Sequence, residues 1–270
     1  MQGFRPVPFL VQSMVRKPCD GAKANVARGR QHLDELVAAE QKYLESQPLE
    51  IELVEQGNGD TFGFATAKNL PTLVHATIVA DVVANYRASL DIAVSQACLL
   101  RGQTDKKLLN STYFAFGGDR GDWHRNLDRR MAGADAVIRD TVESFRPWKD
   151  DGNTLLYALS KICAKDKHVD LLPVAARPGE ISIDGMSFAR EDGLGCGFQS
   201  QIPLWGTANK IHLFTVLAPA KVKVAGPSYL VARIGFGEDY ALTGQPVIPA
   251  LRAIGVMCAE IIDTIEKSTS

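Results

Sequence analysis

The chain has 270 residues with 30 Lys and Arg against 31 Asp and Glu, so it can bury a substantial core without disulfide or metal staples. The balanced charge supplies no overall field towards nucleic acid or an anionic membrane, and a nucleic-acid partner has no support from net charge. No apolar stretch approaches the roughly 20 residues that span a bilayer, so no membrane partner is expected.

The N-terminal MQGFRPVPFLVQSMVRK is broken by Pro6 and Pro8 and lacks the apolar centre and cleavage site of a secretory leader, which makes the cytoplasm the expected location. Residues 1–23 read as an N-terminal extension. From 24 to 46, Val26, Leu33, Val37, Tyr43 and Leu44 recur at helical spacing, and Pro48 ends the run. LEIELVEQGNGDTFGFATA, 49–67, alternates on both sides of a Gly-Asn-Gly-Asp turn and predicts a hairpin with a loop longer than two residues. Residues 72–101 form the longest periodic segment, about 45 Å if fully helical. It is apolar nearly all round, which predicts a central helix.

A linker rich in Gly, Asp and Lys, 102–123, is expected to be irregular and, with the two termini, a candidate for disorder. A third helix is predicted over 125–145, stopping at Pro147, and a fourth from Asn153, a plausible N-cap. After Pro173 the pattern turns to strands. ISIDGMSFA carries Asp184-Gly185 between alternating runs, a strong two-residue hairpin signal, and KIHLFTVLA, KVKVA and SYLVARIGF suggest further strands. From 246 to 267 helical spacing returns through Val247, Leu251, Ile254, Met257, Cys258, Ile261, Ile262 and Ile265. The order predicts an α+β fold: a helical region (24–172) with an N-terminal β-hairpin (49–67), an antiparallel β-region (173–245), and a C-terminal helix (246–270) packing on the same core.

Familiar reaction motifs are absent from the sequence, including the P-loop, the G-x-S-x-G elbow and H-E-x-x-H. GLGCGF, 193–198, lacks the third glycine of a dinucleotide loop and reads as a turn or bulge. The RGD tripeptide at 120–122 reads as chance. The five cysteines form no C-x-x-C pair, and Cys98, Cys163 and Cys258 sit in apolar helical patterns as small hydrophobes. The histidines are scattered, so neither a cofactor nor a metal site is expected.

Polar residues interrupt two apolar helices. DVVANYRASLD places Asp81 and Asn85 four apart, and likewise Arg87 and Asp91, so each pair shares a helix face. Charges in so apolar a segment need partners. In KICAKDKHVDLLPV, 161–174, helical phase puts Asp166 on the face of Leu155, Leu156, Leu159, Ile162 and Cys163, and sends His168 roughly opposite. Asp166 is therefore expected to meet Arg87 across two packed helices. The lysines at 161, 165 and 167 read as a solvated helix edge.

At these residues the chain resembles a family of uncharacterised bacterial proteins whose long helix carries D-x-x-x-N-x-R-x-x-L-D-H and whose later helix ends in D-K-H-R. Here the first motif is matched by Asp81, Asn85, Arg87, Leu90 and Asp91, and the second by Asp166, Lys167 and His168. Gly244, Pro246 and Val247 match a later G-x-P-V step. The family's R-x-x-x-x-H spacing resembles HEPN-type helical domains, which include RNase toxins, defence proteins and inactive versions. In the nucleases the Arg stabilises phosphate charge and the His moves protons. This chain departs from the pattern with Ile92 at the histidine position and Val169 at the trailing arginine.

The expectation is a non-catalytic, HEPN-like protein that binds or assembles, a homodimer being one form of assembly. Arg87, Asp91 and Asp166 would organise the core, with Asn85, Lys167 and His168 beside any cleft. Two alternatives stand. One is an RNase-like hydrolase of a toxin or defence system, with His168 as general base and Arg87 or Lys167 on phosphate; the other is a homo-oligomeric structural subunit.

Overall fold

The computed structural model describes residues 19–69, 71–168, 174–182, 186–189, 198–200, 210–224, 229–236 and 242–269. The fold is α+β. Helix α1 (Asp20–Glu45) starts four residues before the predicted boundary, after Cys19 in the left-handed region, and buries Val26, Leu33, Leu36 and Tyr43 along one face. Strands β1 (Leu49–Glu55) and β2 (Thr61–Ala67) form the predicted hairpin, in register from Leu49 opposite Ala67 to Glu55 opposite Thr61. Helix α2 (Leu73–Leu100) is the expected central helix, with Val79, Val82, Val83, Tyr86, Leu90, Ala93, Val94 and Ala97 buried. Its N-terminus is held by a capping box in which His75 Nδ1 accepts the Thr72 backbone N–H at 3.1 Å.

The segment at 102–123 is irregular over much of its length, as expected, but not throughout. It holds the short helix α3 (Lys106–Asn110) and runs into α4 (Arg120–Arg130), whose N-cap Asp119 accepts the Asp122 backbone N–H. The single helix predicted at 125–145 is instead two. The chain turns at residues 131–135, where Gly133 lowers helix propensity and Asp135 caps a new start, so α5 (Ala136–Ser144) is separate. The Tyr113 N–H donates to the Arg130 carbonyl and the Gly133 N–H to Thr112 Oγ1, which satisfies the broken helix end. Helix α6 (Thr154–His168) begins as expected, with Asn153 Oδ1 accepting the N–H groups of Leu155 and Leu156.

The later strands are β3 (Val174–Ser182), β4 (Met186–Ala189), β5 (Phe198–Ser200), β6 (Lys210–Val216), β7 (Lys221–Val224) and β8 (Tyr229–Phe236), and α7 (Val247–Lys267) closes the fold. All observed pairings are antiparallel. Asp184 and Gly185 lie outside the described residues; on either side of them β3 pairs with β8 and β4 with β7. A four-stranded sheet, in the order β1-β2-β6-β5, joins the N-terminal hairpin to the later β-region. Within it the register slips at Gly63, opposite Phe214, so that Leu213 and Phe214 are both buried while His212 lies across from Phe64. The GLGCGF turn falls outside the described residues up to Phe198, which opens β5.

Helices α1, α2 and α7 meet at Tyr86, which is fully buried. A Cβ at Gly29 of α1 would lie 2.5 Å from Tyr86 Cε1, and one at Gly255 of α7 would lie 2.5 Å from its hydroxyl oxygen. The two glycines thus make the slot for the ring, and an added methyl cannot be accommodated without moving a packed aromatic. A second tie runs from α1 to the sheet region, where the buried Glu40 carboxylate accepts the Ile234 N–H of β8 at 2.9 Å. Gly29→Ala is expected to destabilise the protein by about 1 to 3 kcal/mol through overpacking, despite the better helix propensity of alanine. A thermal melt checks this, and an unchanged or raised Tm would show that the slot is slack.

Candidate functional site

The polar residues of α2 separate into two kinds. Asp81 is exposed, and Asn85 Nδ2 donates to its backbone carbonyl at 2.8 Å, a local contact on the helix surface. Arg87 and Asp91 instead form an ion pair at 2.9 Å with side chains only 18% and 24% exposed. Together they grip both backbone groups of Phe114, in the chain between α3 and α4. The Phe114 N–H donates to Asp91 Oδ1 at 2.9 Å, and Arg87 Nη2 donates to the Phe114 carbonyl at 3.2 Å. The guanidinium also lies over the Phe116 ring, 4.1 Å from its centre.

Burial lowers the proton affinity of Arg87, and the Asp91 charge opposes that shift. Among the described residues its buried Nη1 has no hydrogen-bond acceptor. Ile92, the residue after Asp91 on α2, is a partly buried apolar residue against the core. Asp166, Lys167 and His168 occupy the last turn of α6, which packs on α2, one turn beyond Cys163. Cys163 is near enough to contribute to the electrostatics of Arg87. The side chains of residues 164–168 lie outside the described residues, and with them the expected contact between Asp166 and Arg87. What α2 itself supplies to Arg87 is Asp91, the four-residue spacing read from the sequence.

Beyond Phe114 a series of contacts leads to a second polar site. The indole of Trp123, fully buried on α4, donates to the Ala115 carbonyl, and its ring packs 5.7 Å from Trp148. The Gly117 N–H donates to the Pro147 carbonyl, and the Lys149 N–H to the Gly118 carbonyl. Trp148 Nε1 donates to Asp151 Oδ1 at 2.7 Å, and Arg146 pairs with Asp151 at 2.6 Å. Arg146 adopts a left-handed backbone (φ 52), and its carbonyl accepts the N–H groups of Trp148 and Asn153. Gly152 lets the loop close, since a Cβ there would fall 2.1 Å from the Trp148 carbonyl oxygen.

This loop forms one wall of an open cleft of about 640 Å³, lined by Arg120, Asp140, Glu143, Arg146 and Asp151 among others. Arg120 and His124 of α4 both reach Glu143 of α5, at 2.9 and 3.3 Å. Sequence reasoning missed this site. Its signal was the glycine- and aspartate-rich RPWKDDGN stretch, a turn signature whose side-chain partners lie on other elements. The RGD triplet is part of α4, with Asp122 Oδ2 accepting the Gly118 N–H at 2.9 Å, rather than an exposed loop.

A third polar feature lies on the sheet, where His212 sits 5.0 Å from the Phe62 ring and 5.5 Å from Phe64. The four described cysteines Cys19, Cys98, Cys163 and Cys258 are buried free thiols, the last three as expected for small apolar residues in helices. Among the described residues no cluster of His, Cys, Asp and Glu has the arrangement of a metal site, and no helix is long and apolar enough to cross a membrane. Compared with known protein families, with curated proteins and with solved structures, the chain matches none.

Arg87→Ala and Asp91→Ala should each cost about 2 to 4 kcal/mol, because each breaks a largely desolvated ion pair and removes the side chain that one backbone group of Phe114 bonds to. The double variant should cost clearly less than the sum. Denaturant unfolding of the four proteins measures the coupling, and additive losses would show the pair to be idle. Asp122 adds a pH dependence: the Gly118 N–H holds its carboxyl below the ordinary aspartate value of 3.8. A carboxyl lowered by folding stabilises fully above about pH 5, and that contribution is lost as pH falls through its folded value. Asp122→Asn should therefore flatten the acid limb of a Tm profile between about pH 5 and 3.

Proposed function

We propose that this chain works without catalysis, as a HEPN-like protein of the cytoplasm that binds or assembles with partners, its own copies included. The observation that supports this best is the use made of Arg87. The charge that a HEPN nuclease would offer to phosphate is engaged by Asp91, by the Phe114 carbonyl and by the Phe116 ring. Moving it onto a substrate would break the ion pair with Asp91 and release the Phe114 carbonyl. The family's histidine is replaced by Ile92, which cannot transfer a proton, and the trailing arginine by Val169. The conserved-looking remnant of the motif then serves as a structural tie.

One observation favours a second reading. Arg87 Nη1 has no acceptor among the described residues, and an RNase-like hydrolase could direct it, or Lys167, at a phosphate with His168 as general base. Cleavage of a fluorescent single-stranded RNA by the purified chain separates the two. On the leading reading the wild type cleaves at background rate, and Arg87→Ala changes the melt but not the cleavage. Cleavage well above background that is lost in His168→Ala at unchanged Tm would replace that reading with the hydrolase.

A further inference from the structure

The cleft between α4, α5 and the loop at 146–151 is built from charges in an uneven state of pairing. Arg120 gives one terminal nitrogen, Nη2, to Glu143, and Arg146 gives its Nη2 to Asp151. The remaining N–H groups of both guanidiniums have no protein acceptor among the described residues, and the side chains are 65% and 52% exposed. Asp140, one turn before Glu143 on α5, lines the same cleft, and its carboxylate has no hydrogen bond or ion pair among the described residues. Once the paired charges cancel, the cleft presents unused N–H donors from two cations together with one unneutralised carboxylate.

The loop wall is fixed in place before any ligand arrives. Asp151 is held by the indole of Trp148, itself almost wholly buried, and Asp151 in turn holds Arg146. Arg146 keeps a left-handed backbone, a conformation that costs a non-glycine residue free energy and persists where its surroundings enforce it. Such anchoring lowers the ordering cost of binding. The volume, about 640 Å³, falls within the range of small-molecule sites.

We propose that this cleft binds a free α-amino acid of neutral or positive charge. The carboxylate takes the open N–H edges of Arg120 and Arg146, and the ammonium pairs with Asp140. A simple anion meets the uncompensated Asp140 charge, and a simple amine leaves both guanidiniums unanswered, so neither fits as well as a molecule that carries both groups. The inference gives the binding reading above a ligand class. It rests on residues other than Arg87 and His168, so RNA cleavage and amino-acid binding succeed or fail separately.

Calorimetric titration of the full chain with L-lysine, glycine, succinate and putrescine tests it. At least one of the two amino acids is expected to bind one to one with Kd of about 1 mM or tighter, and succinate and putrescine at least about tenfold more weakly. Asp140→Asn and Arg120→Gln should each weaken amino-acid binding about tenfold or more while the ligand-free melt is unchanged. Absence of saturable heat with both amino acids overturns the proposal. So does putrescine or succinate binding as tightly as the amino acids, or wild-type affinity in both variants.

Discussion

The ion pair between Arg87 and Asp91 organises a large part of this molecule because it is directed at main chain. A charged pair four residues apart on an exposed helix contributes little. On α2 the same spacing is largely removed from water, and both partners also hydrogen-bond the backbone of Phe114. The chain at 114–118 is thereby fixed against the central helix. Ala115 then receives the Trp123 indole, Gly117 and Gly118 exchange hydrogen bonds with residues 147 and 149, and Trp148 orients Asp151 and through it Arg146. The shape of the cleft wall is inherited, contact by contact, from a charge buried beside α2.

The apolar framework follows a different rule, close approach. The ring of Tyr86 occupies space that side chains at positions 29 and 255 would otherwise fill, so α1, α2 and α7 come together around one aromatic residue. Steric exclusion sets the helix spacing, and the polar pair one residue along α2 sets what the neighbouring loop does. Consecutive residues of one helix, Tyr86 and Arg87, therefore serve two layers of the structure.

Much of this was legible wherever the physics is local. Apolar periodicity marked α2 and α7, the Gly-Asn-Gly-Asp turn marked the first hairpin to its ends, and Asn153 marked the start of α6. The four-residue step from Arg87 to Asp91 was legible as a pair. Its destination was not, because Phe114 is a backbone partner 23 residues away and any residue could supply those groups. The break between α4 and α5 was missed because Gly133 and Asp135 were outweighed by the periodic run on either side. Strand partners were the least legible. Nothing in the order of the alternating runs announces that β3 pairs with β8, a strand far along the chain. The cleft escaped because its carboxylates and guanidiniums come from two helices and a loop, and nothing in sequence order brings Arg120 next to Glu143.

The pairing of β2 with β6 carries a consequence in time. Phe64 stands opposite His212, so the N-terminal hairpin is made long before the strand that completes its sheet. At translation speeds of about 5 to 20 residues per second, the intervening stretch takes on the order of ten seconds or more to emerge. An isolated two-stranded hairpin is marginal in water. During that interval Phe62 and Phe64 lack their β6 neighbours and β2 has an open edge, a template for wrong pairing. The charges of Glu50, Glu52 and Glu55 along β1 then gain a meaning beyond the finished fold: like charges along that edge oppose its pairing with the same edge of another copy.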